Sequence, residues 1–181
     1  MAIKVIFVGP MGAGKTTAIA AISDIPPVAT EARNHDKTMH VKATTTVAMD
    51  YGELSLDDGN KLSLYGIPGQ RQFSFIWPIV SKGALGGILL LDCSMSDWAE
   101  QFKFYIDSFR SLANSGAMVV GLNRVEEDDK ETVSGVIQDC CENLELALPY
   151  FFMDPRDPQD VNLLLEALVI NAELDHILQG E

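Results

Sequence analysis

The stretch Gly9-Pro10-Met11-Gly12-Ala13-Gly14-Lys15-Thr16 constrains this chain more than any other. It follows the apolar run 3–8 and precedes a helix-forming run at 17–22, so G-x-x-x-x-G-K-[ST] occurs in the strand–loop–helix setting that the pattern requires. Its glycines let backbone N–H groups turn inward around an anion, along a path that a Cβ obstructs. The unsatisfied donors at the start of the next helix face the same anion. Gly9, Gly12, Ala13, Gly14, Lys15, Thr16 and Thr17 are therefore the expected phosphate-binding set. Lys15 is expected to reach the β- and γ-phosphates, and Thr16 to offer its hydroxyl to Mg²⁺. The bland alternative is a glycine-rich turn.

The remaining composition narrows the setting of that loop. With 181 residues, 47% of them hydrophobic and 22% charged, the chain reads as one globular domain spanning 1–181. No apolar run reaches membrane-spanning length, so no membrane insertion is expected. The first residues lead straight into a strand, residue 2 is Ala and the end is Leu-Gln-Gly-Glu. Neither a signal peptide nor a lipid anchor is predicted, and the expected location is cytoplasmic. Cys93, Cys140 and Cys141 form an unpatterned set, read as reduced and mostly core-facing. A formal net charge of −13 argues against nucleic acid and anionic membranes as partners. Attraction for a polyphosphate must then be local to the loop.

Along the chain, 3–8 reads as a strand and 15–23 as a helix. The segment 26–45 loses apolar periodicity and is taken as a long functional connection. Strands at 47–56 and 61–65 flank Asp57-Asp58-Gly59-Asn60, a hairpin signal. An irregular aromatic helix is expected at 70–81, and a fully covered strand at 86–92. Ser96 is the expected cap of a helix from 97 to about 112, with Ala99, Phe102 and Ile106 on one stripe. A strand at 117–122, a helix at 130–143, a strand at 149–153 and a helix from 157 to about 178 complete the pattern. Val161, Leu164, Leu165, Leu168 and Ala172 mark the core face of that last helix. Strands alternating with helices predict a doubly wound α/β sheet, mostly parallel with one antiparallel hairpin strand and helices on both faces. Ligands of such sheets sit beyond the carboxyl ends of the strands, where the Gly9 loop, 66–70, Asp92, Asn123 and Asp154 converge.

Five stretches carry a family resemblance: GPMGAGKT (9–16), TTTVAMDYGE (44–53), LYGIPGQRQF (64–73), GLNRVE (121–126) and FMDPRD (152–157). In order and spacing they resemble the Ras-like small GTPases over essentially the whole chain. The likeness is nearest to the bacterial branch of MglA-type polarity GTPases and their signal-recognition-receptor-β-like relatives. The resemblance implies a single P-loop domain with a five- or six-stranded sheet.

It also implies roles. Thr46 would meet Mg²⁺ and the γ-phosphate in switch I, with Thr44 and Thr45 as rivals and simple strand propensity as the other explanation. The Gly69 amide would contact the γ-phosphate and Gln70 would orient the attacking water, so Gln70, Lys15 and Thr46 form the expected catalytic set. The family's usual Asp three residues before that glycine is replaced by Gly66. A turn at Asp58-Gly59 places Asp50 across from Ile67, beside Gly66, where its carboxylate could complete a metal set of Thr16, Thr46 and Asp50. The alternative is that Asp50 is only a polar strand residue. Asn123, Arg124 and Glu126 would read guanine, together with Asp154 and Arg156 from the last loop. Glu126 would accept from the base N1–H and exocyclic amine, or else belong to a solvated acidic turn that runs on through Asp129. Pro155 falls where relatives present a backbone N–H to the base, and proline has none. Arg33 and Arg71 are candidates for a charge-neutralising arginine in cis. Phe73, Phe75, Ile76, Trp77 and Ile79 cover more than one helical face, so part of the set is expected to face partners, the competing view being full burial.

Together these imply a GTP/GDP switch with slow Mg²⁺-dependent hydrolysis, engaging protein effectors through 38–46 and 66–80. A roadblock-type activating protein is implied by the resemblance. Two alternatives stand beside it: a non-hydrolysing nucleotide-binding scaffold and a small-molecule P-loop phosphotransferase.

Overall fold

A computed structural model of the chain describes residues 2–33, 46–56 and 59–179. The elements run β1 (Ala2–Val8), α1 (Lys15–Ile22), β2 (Val28–Arg33), β3 (Thr46–Ser55) and β4 (Lys61–Gly66). A 3₁₀ segment (Arg71–Ile76) leads into α2 (Trp77–Ser81), then β5 (Gly86–Asp92), α3 (Trp98–Ser108) and α4 (Arg110–Asn114). The chain continues through β6 (Met118–Asn123), α5 (Lys130–Asn143), β7 (Tyr150–Phe152) and α6 (Pro158–Gln179).

One sheet takes the order β2-β3-β4-β1-β5-β6-β7. Only β3 runs against its neighbours; the pairings β4–β1–β5–β6–β7 are all parallel. The expected α/β class and its one antiparallel strand are therefore present, in a seven-stranded sheet rather than five or six. The central strands are apolar throughout because both faces are covered, yet they still alternate by face. Ile6, Val8, Leu89, Leu91, Val120 and Leu122 join the core layer under α3 and α5. Val5, Phe7, Ile88, Leu90 and Val119 join the opposite layer with α1 and α6. Val161, Leu164, Leu165 and Leu168 of α6 are buried there, as its spacing predicts. Cys140 and Cys141 are buried and Cys93 is half-buried, all as free thiols.

Four local expectations need correction. Residues 28–33 form the edge strand β2, although 26–45 reads as a structureless connection. Its order comes from the main-chain ladder to β3, and Val28 and Ala29 remain exposed, so no apolar alternation announces it. Residues 34–45, with Thr44, Thr45, His35 and His40, lie outside the described residues. At the next hairpin, Leu56 N–H donates to the Asn60 carbonyl and Gly59 N–H to the Leu56 carbonyl. The ladder pairs Ser55 with Lys61, so the register moves by one: Asp50 faces Gly66, not Ile67. Ser96 does not cap α3; Asp97 holds the N-cap position and accepts from Gln101 Nε2 one turn on. The predicted helix to 112 breaks at Phe109, buried between α3 and α4.

The seat of α1 is set by a close approach. A Cβ added at Gly52 of β3 would come within 2.7 Å of Ile19 Cγ2 and 2.8 Å of Ser23 Oγ. The same Ser23 hydroxyl donates to the Glu53 carbonyl and accepts from Glu53 N–H, tying the end of α1 to β3. The Gly52→Ala variant is expected to lose about 1–3 kcal/mol by overpacking, seen as a lower urea midpoint at unchanged m-value.

Candidate functional site

At the carboxyl end of β1 the chain turns through Gly9, whose φ of 135° favours glycine. A Cβ there would strike the Leu90 carbonyl, so β5 also excludes any other residue. The loop closes into α1, and Lys15 Nζ donates back to the carbonyls of Gly9 (2.8 Å) and Pro10 (2.7 Å). Burial pushes the Lys15 ammonium down from 10.5 to about 8, and the nearby Asp50 charge only partly opposes it. The loop thus holds a desolvated cation with no direct ion-pair partner among the described residues.

The shifted hairpin register decides what faces this cation. Asp50 stands directly across from Gly66, and Thr16 Oγ1 donates to Asp50 Oδ2 at 2.5 Å. A Cβ on Gly66 would lie 3.0 Å from Asp50 Cβ and 3.1 Å from its Oδ2. The carboxylate from β3 therefore occupies room that a side chain at 66 would need, and the two positions trade. Thr16 and Asp50 supply hard oxygen donors side by side, the donor chemistry that suits Mg²⁺. The Thr46 backbone lies in β3, but its side chain, like that of Arg33, is outside the described residues.

Beyond β4 the chain bends over the loop. Gly69 lies against Gly9, Pro10 and Met11 so closely that a Cβ would collide with their backbone. Gln70 is exposed; its Nε2 approaches Met11 Sδ at 3.5 Å and its Oε1 accepts from Gln72. Arg71 turns away from the loop and lies 4.1 Å over the Phe104 ring. Of the aromatic set, Ile76 and Trp77 are buried, Phe73 and Phe75 are half-buried and Ile79 is 50% exposed. Trp77 packs on Phe104 and Tyr105 of α3 and on Phe109. Gly12, Gly14, Lys15, Thr16, Thr17, Asp50, Gly66, Gly69 and Gln70 line one cleft of about 490 Å³.

A second pocket of about 440 Å³ opens at the ends of β6 and β7, lined by Asn123, Arg124, Glu126, Lys130, Asp154, Arg156 and Asp160. It adjoins the first through the loop itself. Asn123 Nδ2 donates to the Ala13 carbonyl at 3.5 Å, and a Cβ on Gly14 would meet Pro155 Cγ at 2.8 Å. Arg124 has a left-handed φ of 57°, and its guanidinium pairs with Asp92 at 2.5 Å. Asp92 also accepts from Ser94 N–H and Oγ. At the last loop, Asp154 takes the Arg156 side chain on both oxygens, which holds its carboxyl at about 2. The backbone donors beside Pro155 are spent internally: Asp154 N–H on Asp160 Oδ2 and Arg156 N–H on Asp154 Oδ1.

The structure therefore brings Gly12, Gly14, Lys15, Thr16, Thr17, Asp50, Gly69 and Gln70 to one pocket and Asn123, Arg124, Glu126, Asp154 and Arg156 to an adjoining one. Gly9 and Ala13 lie in the loop behind the first, and the Thr46 side chain is outside the described residues. The structure adds Lys130 and Asp160 to the second pocket, and behind the first it sets Tyr105 and Trp77 on the carbonyls of Gly69 and Pro68. Asp92 sat at a strand end in the sequence, but its bond to Arg124 was not readable there.

A P-loop between β1 and α1 with two pockets at the carboxyl ends of a mostly parallel sheet defines a P-loop nucleotide-binding protein of GTPase-like fold. The chain belongs to the family described as "Conserved hypothetical ATP binding protein", whose model matches residues 26–150. It is 32% identical over 92 residues to an uncharacterized protein of Methanocaldococcus jannaschii, covering 51% of this chain and 52% of that one. It is 22% identical over 134 residues to the Ras-related protein Rab-18-B of Danio rerio, covering 71% and 60% respectively. The chain thus spans 52% and 60% of the length of these two relatives. In fold it is similar to a bacterial selenocysteine-specific elongation factor, with a TM-score of 0.62 and 16% identity over 96% of this chain and 29% of that one. Among the described residues no helix is long and apolar enough to cross a membrane.

The buried ammonium makes stability depend on pH with a definite sign. The unfolded chain keeps the Lys15 proton up to 10.5, whereas the folded chain releases it near 8. Between those values the unfolded state binds more protons, so stability rises with pH. Relative to Lys15→Met, the ligand-free wild type is expected to gain up to about 1.4 kcal/mol per pH unit across that window. Denaturant midpoints of both proteins from pH 7 to 10.5 check the difference.

Proposed function

We propose that this chain is a single-domain, Mg²⁺-dependent GTP-binding switch that hydrolyses GTP slowly to GDP and phosphate in the cytoplasm. The observation that carries the reading is the joining of the two pockets at the phosphate loop, through Asn123 on the Ala13 carbonyl and Pro155 against Gly14. A nucleotide laid along that loop has its phosphates at Lys15 and its base beside Glu126. Lys15 and the amides of Gly9–Thr17 neutralise the phosphate chain. Thr16 and Asp50 would hold Mg²⁺, joined by Thr46 of switch I, and the bound ion would offset charge on the β- and γ-oxygens. Gln70 lines the phosphate cleft and is exposed, so it is free to orient a water there. Asn123, Arg124 and Glu126, with Asp154 and Arg156, form the guanine site. Glu126 accepts the paired N1–H and amine donors that guanine has and adenine lacks.

The branch assignment to MglA-type and signal-recognition-receptor-β-like GTPases belongs to this proposal, supported by Gly66 in place of the usual carboxylate. So do effectors at 38–46 and 66–80 and a roadblock-type activating protein. The first segment is mostly outside the described residues. In the second, Ile79 offers the exposed apolar contact. Arg71, stacked on Phe104, supplies no cation to the cleft in this arrangement, which fits slow intrinsic hydrolysis.

One observation favours a non-hydrolysing scaffold instead. The amides flanking Pro155 are committed to Asp160 and Asp154, so this loop offers the base no backbone donor. Single-turnover hydrolysis separates the two readings.

Binding of GTP, GDP, ATP and ADP with and without Mg²⁺ tests the base assignment. GTP is expected to bind at least about tenfold tighter than ATP, a difference of about 1.4 kcal/mol. Tighter ATP binding would replace guanine with adenine, in keeping with the family's description. Asp50→Ala is expected to raise the Mg²⁺ concentration needed for half-maximal GTP binding by about tenfold or more, on the scale of one lost metal carboxylate contact. An unchanged Mg²⁺ titration removes Asp50 from the metal set.

A further inference from the structure

Segment 68–71 is gripped from behind by aromatic side chains of α2 and α3. Trp77 Nε1 donates to the Pro68 carbonyl at 3.1 Å, and the Tyr105 hydroxyl donates to the Gly69 carbonyl at 2.5 Å. The Arg71 guanidinium rests on Phe104 just beyond. The rings form one cluster, with Trp77 5.4 Å from both Tyr105 and Phe109 and 5.8 Å from Phe104. Trp77 and Tyr105 are 2% and 1% exposed. Buried donors cannot turn to water when a carbonyl leaves, so both bonds are costly to break.

A trans peptide points its N–H opposite to its own C=O, and no cis bond occurs among the described residues. Capture of the Pro68 carbonyl by Trp77 therefore aims the Gly69 N–H away from the ring cluster. Capture of the Gly69 carbonyl by Tyr105 does the same for the Gln70 N–H. On the side away from the rings, Pro68, Gly69 and Gln70 line the phosphate cleft, and Gly69 packs on Gly9–Met11. Neither N–H meets an acceptor among the described residues.

We propose that Trp77 and Tyr105 are positioning residues that preset the Gly69 and Gln70 N–H groups as donors to the terminal phosphate of a bound nucleoside triphosphate. This rests on the nucleotide reading above and adds a reason for the aromatic density of 73–77: it fixes backbone dipoles rather than a partner. Donors already aimed at a charge need no reorganisation when it arrives. A diphosphate carries no group at that place, so the contribution belongs to the triphosphate alone. Burial pushes the Tyr105 hydroxyl up to about 12, which keeps it a donor throughout the pH range of ordinary assays.

Tyr105→Phe tests this, because it deletes the donor and keeps the ring. The full chain with Mg²⁺ is titrated with GDP and a non-hydrolysable GTP analogue, and in parallel with ADP and the ATP analogue. Tyr51→Phe serves as control, since that hydroxyl donates to Glu53 away from the cleft. Tyr105→Phe is expected to weaken the triphosphate analogue by about three- to tenfold, the size of one hydrogen bond, with the diphosphate within about twofold. Equal weakening of di- and triphosphate, or no change in either, overturns the proposal. A wild type that binds none of the four nucleotides instead overturns the nucleotide reading, and this proposal with it.

Discussion

At the carboxyl ends of β1 and β4, the backbone of Gly69 lies so close to Gly9, Pro10 and Met11 that no side chain fits between them. Much of the site's arrangement follows from that contact. It lays 66–71 as a roof over the phosphate loop, and it brings the roof within reach of α3, whose Tyr105 closes it from behind. The end of β4 is crowded separately, by Asp50 and Ile19, which a Cβ on residue 66 would meet at 3.0–3.1 Å. Gly66 leaves room there for the Asp50 carboxylate, which arrives from β3 on the neighbouring ladder position. The missing side chain at 66 thus decides that β3 carries the acid.

Charge is arranged against the trend of the whole molecule. The chain carries a formal −13, yet its loop buries an ammonium held on two carbonyls. Those carbonyls replace water only in part, and the depressed Lys15 value expresses the remaining desolvation. An anion entering the loop would relieve that cost, so attraction for phosphate is local while the body repels anions at long range. The second pocket has the opposite balance: Arg124 and Arg156 are each paired with an aspartate, leaving Glu126 at its lining without a salt bridge among the described residues.

The elements legible in the chain were those with strong local chemistry. The glycine pattern at 9–14, the apolar runs of β5 and β6 and the amphipathic spacing of α6 each carry their own signal, and all lie where expected. β2 carries none, because an edge strand owes its order to a partner's main chain rather than to apolar alternation. The hairpin was legible but its register was not. The length of the turn cannot be read from Asp-Asp-Gly-Asn, and one residue of slip moved Asp50 from Ile67 to Gly66. For the aromatic run at 73–77 the sequence left partner contact and burial both open, because the partner of Trp77, the Pro68 carbonyl, is a main-chain atom with no mark in a sequence.

By itself, then, the sequence determined a phosphate loop, an alternating α/β chain and a set of strand ends where chemistry gathers, because glycine freedom and hydrophobic period act over a few residues. Tertiary structure decided how those ends meet. It set Asp50 beside Thr16, closed Gly69 onto the loop, joined the pocket at β6 and β7 to the cleft at the loop through Asn123 and Pro155, and turned two aromatic residues into anchors for a backbone segment. Each of these is a contact between residues tens of positions apart. Its geometry depends on strand register and on backbone approach, which only the packed sheet and helices define.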